Sequence, residues 1–242
     1  MSREAEWVRR KLGFKPDAMQ SRVLEARSRR GLLNCCRQWG KSTLGAAMAV
    51  HQAETKPESL TLVISPSARQ SGEFVRKAAR FLEKLDIQPK GDGDNEMSLL
   101  LPNRSRIVGL PGNEVTVRGF SAVSLMLIDE AARVNDEMYR AVRPMLAVSR
   151  GTLWLLSTPY GKRGFFYETW RRGGRGWLRI AVPATGCSRI SRRFLKEERT
   201  ILGEHCFRQE YLCEFEDTED HVFDSDVVER AITEHVKPLV LA

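Results

Sequence analysis

Two stretches of this chain combine residue types and spacings that suit phosphate chemistry. Cys35-Cys36-Arg37-Gln38-Trp39-Gly40-Lys41-Ser42-Thr43 follows the pattern G-x-x-x-x-G-K-[ST] of a phosphate-binding loop, with Cys35 where the first glycine would stand. In such a loop successive backbone N–H groups and the start of the next helix wrap a polyphosphate, and Gly40 lets the main chain approach it closely. Lys41 would neutralise the β- and γ-phosphates, and Ser42 offers a hydroxyl to Mg²⁺. The second stretch, Leu125-Met126-Leu127-Ile128-Asp129-Glu130, is an apolar run ending in two acids. Asp129 at the strand end can hold Mg²⁺ directly or through water, and Glu130 can polarise the water that attacks a γ-phosphate.

Weaker signals surround these two. Leu153-Trp154-Leu155-Leu156-Ser157-Thr158 ends in hydroxyls that could sense the γ-phosphate if this strand lies beside the acid-bearing one. Upstream, the Gln20 amide could pair with adenine and Phe14 could lie against the base, although residue type alone makes Gln20 a surface helix residue. Five cysteines (35, 36, 187, 206 and 213) show no C-x-x-C pair, and Cys206 and Cys213 beside His205 read as positions along one helix. The carboxylates of 217–226 lie in a turn-rich segment without strands to fix a metal's ligands.

Elements must hold these residues at one edge. Apolar runs at Leu32–Cys36, Leu60–Ser65, Val123–Ile128 and Thr152–Ser157 alternate with helical segments, which predicts a mainly parallel sheet covered by crossover helices, an α/β fold. Met97–Leu101 and Arg106–Leu110 predict a hairpin inserted before the third of those strands. After Thr158 the pattern loosens into Gly-rich 173–176, a strand over Leu178–Val182 and helices over 191–202 and 204–214, which predicts a lid-like subdomain over about 160–215. An acidic linker or tail follows over 216–242.

Composition narrows the class. The chain has 242 residues, 42% hydrophobic and 29% charged, without an apolar run long enough to span a membrane, so a disulfide scaffold and a mainly disordered chain are both excluded. The amino terminus lacks the pattern of a secretory signal. The net charge of +8 suits a polyanionic partner. Residues 162–199 hold eleven Lys or Arg against three Glu, interleaved with Phe165, Phe166, Tyr167, Trp170 and Trp177. That mixture suits phosphate tracking and base stacking as well as it suits a solvated face over core aromatics. Residues 209–229 hold nine Asp or Glu and neither Lys nor Arg.

Taken together, Phe14-x-Pro-x-x-x-Gln20, Arg37-Gln38-Trp39-Gly40-Lys41-Ser42, Ile128-Asp129-Glu130-Ala131-Ala132 and Ser157-Thr158-Pro159 resemble the ATPase domain of the large terminase subunit of tailed bacteriophages. The segment from Phe207 through Tyr211 to Phe215 is similar to the one closing that domain, so the resemblance spans about residues 8–224. It implies a P-loop NTPase of the ASCE, RecA-like kind over 1–215, with ATP and Mg²⁺ as cofactors and hydrolysis coupled to translocation of double-stranded DNA. By the same resemblance Gln20 reads adenine, and Arg37, Gln38, Gly40, Lys41, Ser42 and Thr43 hold phosphates. Ser42 and Asp129 hold the metal, Glu130 is catalytic, and Ser157 and Thr158 couple hydrolysis to movement. Arg118 looks like the arginine that a ring neighbour donates. A homo-oligomeric ring, the phage portal and the small terminase subunit are the implied partners, in the cytoplasm of an infected bacterium. The family's carboxyl-terminal nuclease domain has no counterpart in these residues, so ATPase activity without DNA cleavage is expected. A non-catalytic DNA or capsid adaptor and a helicase-like ATPase of the second superfamily remain as alternatives.

Overall fold

The computed structural model describes residues 3–112, 119–217 and 231. Helices α1 (Arg3–Leu12) and α2 (Ala18–Leu24) precede β1 (Arg30–Cys35), α3 (Lys41–Thr55), β2 (Leu60–Ser65) and α4 (Ala68–Glu83). Strands β3 (Ser98–Leu100), β4 (Arg106–Pro111) and β5 (Val123–Asp129) follow, then α5 (Asp136–Val142), β6 (Thr152–Ser157), α6 (Gly164–Arg172), β7 (Leu178–Val182) and α7 (Arg192–Leu212). Short 3₁₀ turns occupy Ala131–Arg133, Arg143–Leu146 and Ala184–Gly186. Arg118 lies outside the described residues. No described helix is long and apolar enough to cross a membrane.

The strands form one sheet in the order β3-β4-β2-β5-β6-β1-β7, and only β3 runs antiparallel. Every residue of β2 is buried, as a parallel strand covered on both faces requires. Alternation along each strand divides the core between the two faces. Leu33, Cys35, Leu125 and Leu127 pack with α3 and α4 on one side, while Leu32, Met126 and Ile128 pack with α5 and α6 on the other. Helix α4 has a clear apolar stripe, Phe74, Val75, Ala78, Phe81 and Leu82, at the spacing of one helix face. Gly31 gives β1 its close seat beside β6, since a Cβ there would come within 2.3 Å of the Trp154 ring.

The expected hairpin is present as β3–β4, and it joins the main sheet because β4 pairs in parallel with β2 from Leu60↔Arg106 to Ser65↔Pro111. Two features differ from the sequence expectations. Strand β7, expected within a lid-like segment, is the edge strand beside β1. Helix α7 is interrupted at Gly203 (φ 75°, ψ 166°), which matches the break expected between 202 and 204, and its second half packs into the core through Phe207 and Tyr211. The aromatics of the basic segment do not form a stacking surface. Phe165 stacks on Tyr139 with ring centres 4.0 Å apart, and Phe166, Tyr167 and Trp170 surround Phe215.

Candidate nucleotide site

The carboxyl ends of β1, β6 and β5 lie side by side, with Asn34 opposite Ser157 and Asp129 opposite Leu156. In open α/β sheets this edge is where ligands bind. Strand β6 separates the phosphate-loop strand from the acid-bearing one. Cys35 explains how the loop dispenses with its first glycine. It is still the last residue of β1, paired with Val182, and its side chain is fully buried in the core. The turn begins later, with Gln38 (φ 61°) and Gly40 (φ 96°) in the left-handed region. Gly40 caps α3, where Leu44 N–H donates to its carbonyl at 3.0 Å. The first amides of α3 therefore face outward without intrahelical acceptors, at the positive end of the helix.

Arg37, Gln38, Gly40, Lys41, Ser42, Thr43, Lys77 and Glu130 line a cavity of about 420 Å³. Lys41 Nζ sits 2.8 Å from Glu130 Oε1, and Ser42 Oγ donates to Asp129 Oδ2 at 2.8 Å. Burial pushes the Asp129 carboxyl up, with Glu130 adding to the rise while Lys41 and the Ser42 hydrogen bond oppose it. Burial also works against charge on Lys41, but the facing Cys35, Glu130 and Asp129 outweigh it and raise its pKa. The Cys35 thiol is itself pushed up by burial and stays neutral near pH 7, so the two carboxylates are the partners that matter. Glu130 adopts a left-handed conformation (φ 53°, ψ 43°), uncommon outside glycine, at the turn out of β5. That turn is fixed from β6, as Ala132 N–H donates to Ser157 Oγ at 3.1 Å and Ser157 Oγ donates to the Thr158 carbonyl at 2.7 Å. Ser157 thus touches the segment after Glu130. Neither Ser157 nor Thr158 lines the cavity, and among the described residues the buried Thr158 Oγ1 lacks a hydrogen-bond partner.

Gln20 is 1% exposed, which corrects the surface position its residue type suggests. It closes a capping box with Asp17 at the start of α2, and its Nε2 donates to the Trp39 carbonyl at 3.2 Å. Its amide is thus tied to the loop backbone. Phe14 packs near Phe81, with ring centres 6.3 Å apart.

Four residues that the motifs do not reveal complete the surroundings. Arg189, from the basic segment, donates to the Trp39 carbonyl and pairs with Asp17. Glu210 on α7 is buried between Arg37 (3.2 Å) and Arg133 (3.6 Å), and its carbonyl accepts from Arg37 N–H at 3.0 Å. The Arg37–Glu210 approach is an ion pair without hydrogen-bond alignment, since among the described residues Glu210 Oε2 has no hydrogen-bond donor. Lys77 reaches the cavity from α4. Only the tertiary packing of α4 and α7 brings Lys77 and Glu210 here. The basic segment, in turn, is partly consumed inside the fold, with Arg179 donating to the carbonyls of Thr169, Trp170 and Gly174.

Known proteins share this fold. A family model described as "Terminase large subunit, T4likevirus-type, N-terminal" matches residues 32–230. The large terminase subunit of Thermus virus P23-45 is 27% identical over 248 residues, covering 88% of this chain and 51% of that protein. The chain therefore spans about half the length of the curated relatives it matches. Among solved structures, the ATPase domain of the Thermus phage P74-26 large terminase superposes with a TM-score of 0.76 at 23% identity, covering 89% of this chain and all of that one. The large terminase of bacteriophage D6E in complex with ADP superposes with a TM-score of 0.66 at 13% identity, covering 89% and 54%. The match over residues 32–230 makes this chain a member of the T4likevirus-type large terminase subunit family, in its amino-terminal region.

Proposed function

We propose that this chain is the ATP-hydrolysing motor domain of a phage large terminase and drives double-stranded DNA into a procapsid. The observation that carries the reading is the contact of the two stretches across one cavity, Lys41 with Glu130 and Ser42 with Asp129. The relative from bacteriophage D6E, whose structure contains ADP, supports a nucleotide as the ligand.

A hydroxyl and a buried carboxylate 2.8 Å apart are oxygen donors of the kind Mg²⁺ takes, so Ser42 and Asp129 fit that ion. When bound, Mg²⁺ neutralises charge on the β- and γ-phosphates. The residues of the chain do the rest. Amides of the loop and of the first turn of α3 hold the phosphates, and Lys41 turns from Glu130 to the polyphosphate as it enters. Glu130, released from its ion pair, accepts a proton from the attacking water. Ser157, bonded to the turn after Glu130, conveys the state of that turn to β6 and the segment beyond it.

Arg118 completes the site from a neighbouring copy in a homo-oligomeric ring, with the portal and the small subunit as further partners in the host cytoplasm. Of residues 160–215, with β7 in the sheet and Phe165 and Phe166 of α6 in the core, helix α7 is the part that acts as the lid, and residues 216–242 act as an acidic linker. These residues turn over ATP without cutting DNA, which incubation of plasmid with Mg²⁺ or Mn²⁺ checks. The functional test is phosphate release from ATP by Glu130→Ala and Arg118→Ala, alone and mixed. Each variant loses turnover alone, Arg118→Ala by about 10³–10⁵. Mixing restores part of it. Absence of rescue in a mixed ring contradicts the donated arginine.

A further inference from the structure

We infer that Lys77 of α4 is a second lysine ligand of the outer phosphates of the bound nucleotide, facing Lys41 across the cavity. This rests on the ATP-binding reading above and adds to it a residue from outside the phosphate loop and the acid-bearing strand.

The placement follows from packing. Helix α4 crosses α3 where Gly45 leaves room for Phe74, since a Cβ at Gly45 would meet the Phe74 ring at 2.9 Å. That contact lies one turn past Lys41. Lys77, three residues after Phe74, shares the side of α4 that passes over the start of α3. Its side chain lines the cavity beside Ser42, Thr43 and Glu130.

The charge balance gives Lys77 its use. In the structure Lys41 is held by Glu130, and Ser42 by Asp129. Among the described residues Lys77 has no ion pair within 4.0 Å, so its ammonium is the cation already available to an incoming polyphosphate. An ammonium on a flexible four-carbon stem suits a phosphate oxygen as a point charge. Entry of the γ-phosphate toward Lys77 would then precede transfer of Lys41 from Glu130.

Binding of Mg²⁺ with a non-hydrolysable ATP analogue, and separately with AMP, tests this on the wild-type chain, Lys77→Gln, Lys77→Arg and Lys41→Ala. Loss of one charge-assisted contact predicts about tenfold weaker binding of the analogue by Lys77→Gln. AMP affinity and the thermal midpoint stay unchanged, Lys77→Arg recovers most of the loss, and the affinity of Lys77→Gln depends less steeply on salt. Analogue binding within twofold of wild type, while Lys41→Ala binds poorly, overturns the role of Lys77 and leaves the ATP site intact. Equal loss of analogue and AMP, or a lowered midpoint, also overturns it, since a merely structural lysine would act that way. Failure of the wild-type chain to bind the analogue overturns both readings.

Discussion

Asp129 bears the cost of its position. Its carboxyl is buried and its pKa is raised, so the charged form is disfavoured in the folded chain relative to the unfolded one. An acid whose folded pKa lies above its unfolded value destabilises the fold at pH values above both, and the penalty fades as pH falls through the folded value. At neutral pH Asp129→Asn should therefore raise the thermal midpoint of the nucleotide-free protein while abolishing Mg²⁺-dependent turnover. A lowered midpoint would show that the Asp129 charge stabilises the fold. Glu130 differs, because it is partly exposed and paired with Lys41. Glu130→Ala should lose about 10²–10⁴ in turnover and keep ATP binding, as the role of a general base predicts. These residues were legible in the sequence because their chemistry is local, a G-K-S after one apolar strand and D-E at the end of another. Lys77 and Glu210 were not. Nothing in their neighbours distinguishes a lysine facing a phosphate cavity from one facing water until α3 and α4 are packed. Gln20 misled for the same reason, since its burial depends on Trp39, nineteen residues away.

At the scale of elements, the sheet supplies precision by close packing. Gly31→Ala would force a Cβ into the Trp154 ring, which must move within a filled core. We expect a loss of about 1–3 kcal/mol in denaturant unfolding, typical of overpacking, and a change below a few tenths would mean that β1 and β6 can separate freely. Helix α7 is tied to the phosphate loop through Arg37 and Glu210. Arg37 is largely exposed, so the pair contributes modestly to stability. Its direct measure is a double-mutant cycle of Arg37→Ala with Glu210→Gln, in which we expect coupling of about 0.5–1 kcal/mol without nucleotide. Additive effects would disconnect α7 from the loop. The parallel core strands were readable as uninterrupted apolar runs. The position of β7 was not, because Leu178–Val182 is only partly buried and its pattern does not say which sheet edge it joins. The aromatics 165–170 likewise gave no sign of their direction, as the same residues can stack on bases or, as here, stack on Tyr139 and pack at a tilt against Phe215.

For the whole molecule, the family is settled by the match over residues 32–230, and the cavity at the carboxyl edge of the sheet is the place where we propose that nucleotide binds. Within the excess of positive charge, Arg179 and Arg189 hydrogen-bond backbone carbonyls of the fold, while Arg171, Arg172 and Arg175 are exposed at the end of α6 and the turn beyond. Reversing these three to Glu should weaken double-stranded DNA binding and flatten its dependence on salt. Unchanged affinity would move the DNA contact elsewhere. We propose that Lys41, Ser42, Asp129 and Glu130 form one hydrolytic site. Steady-state phosphate release from ATP and Mg²⁺ tests it most directly, measured with and without double-stranded DNA on the intact chain and on Glu130→Ala. We expect hydrolysis by the intact chain, with stimulation by DNA, and its loss in Glu130→Ala; equal rates in the two proteins would rule out a single hydrolytic site built on Glu130.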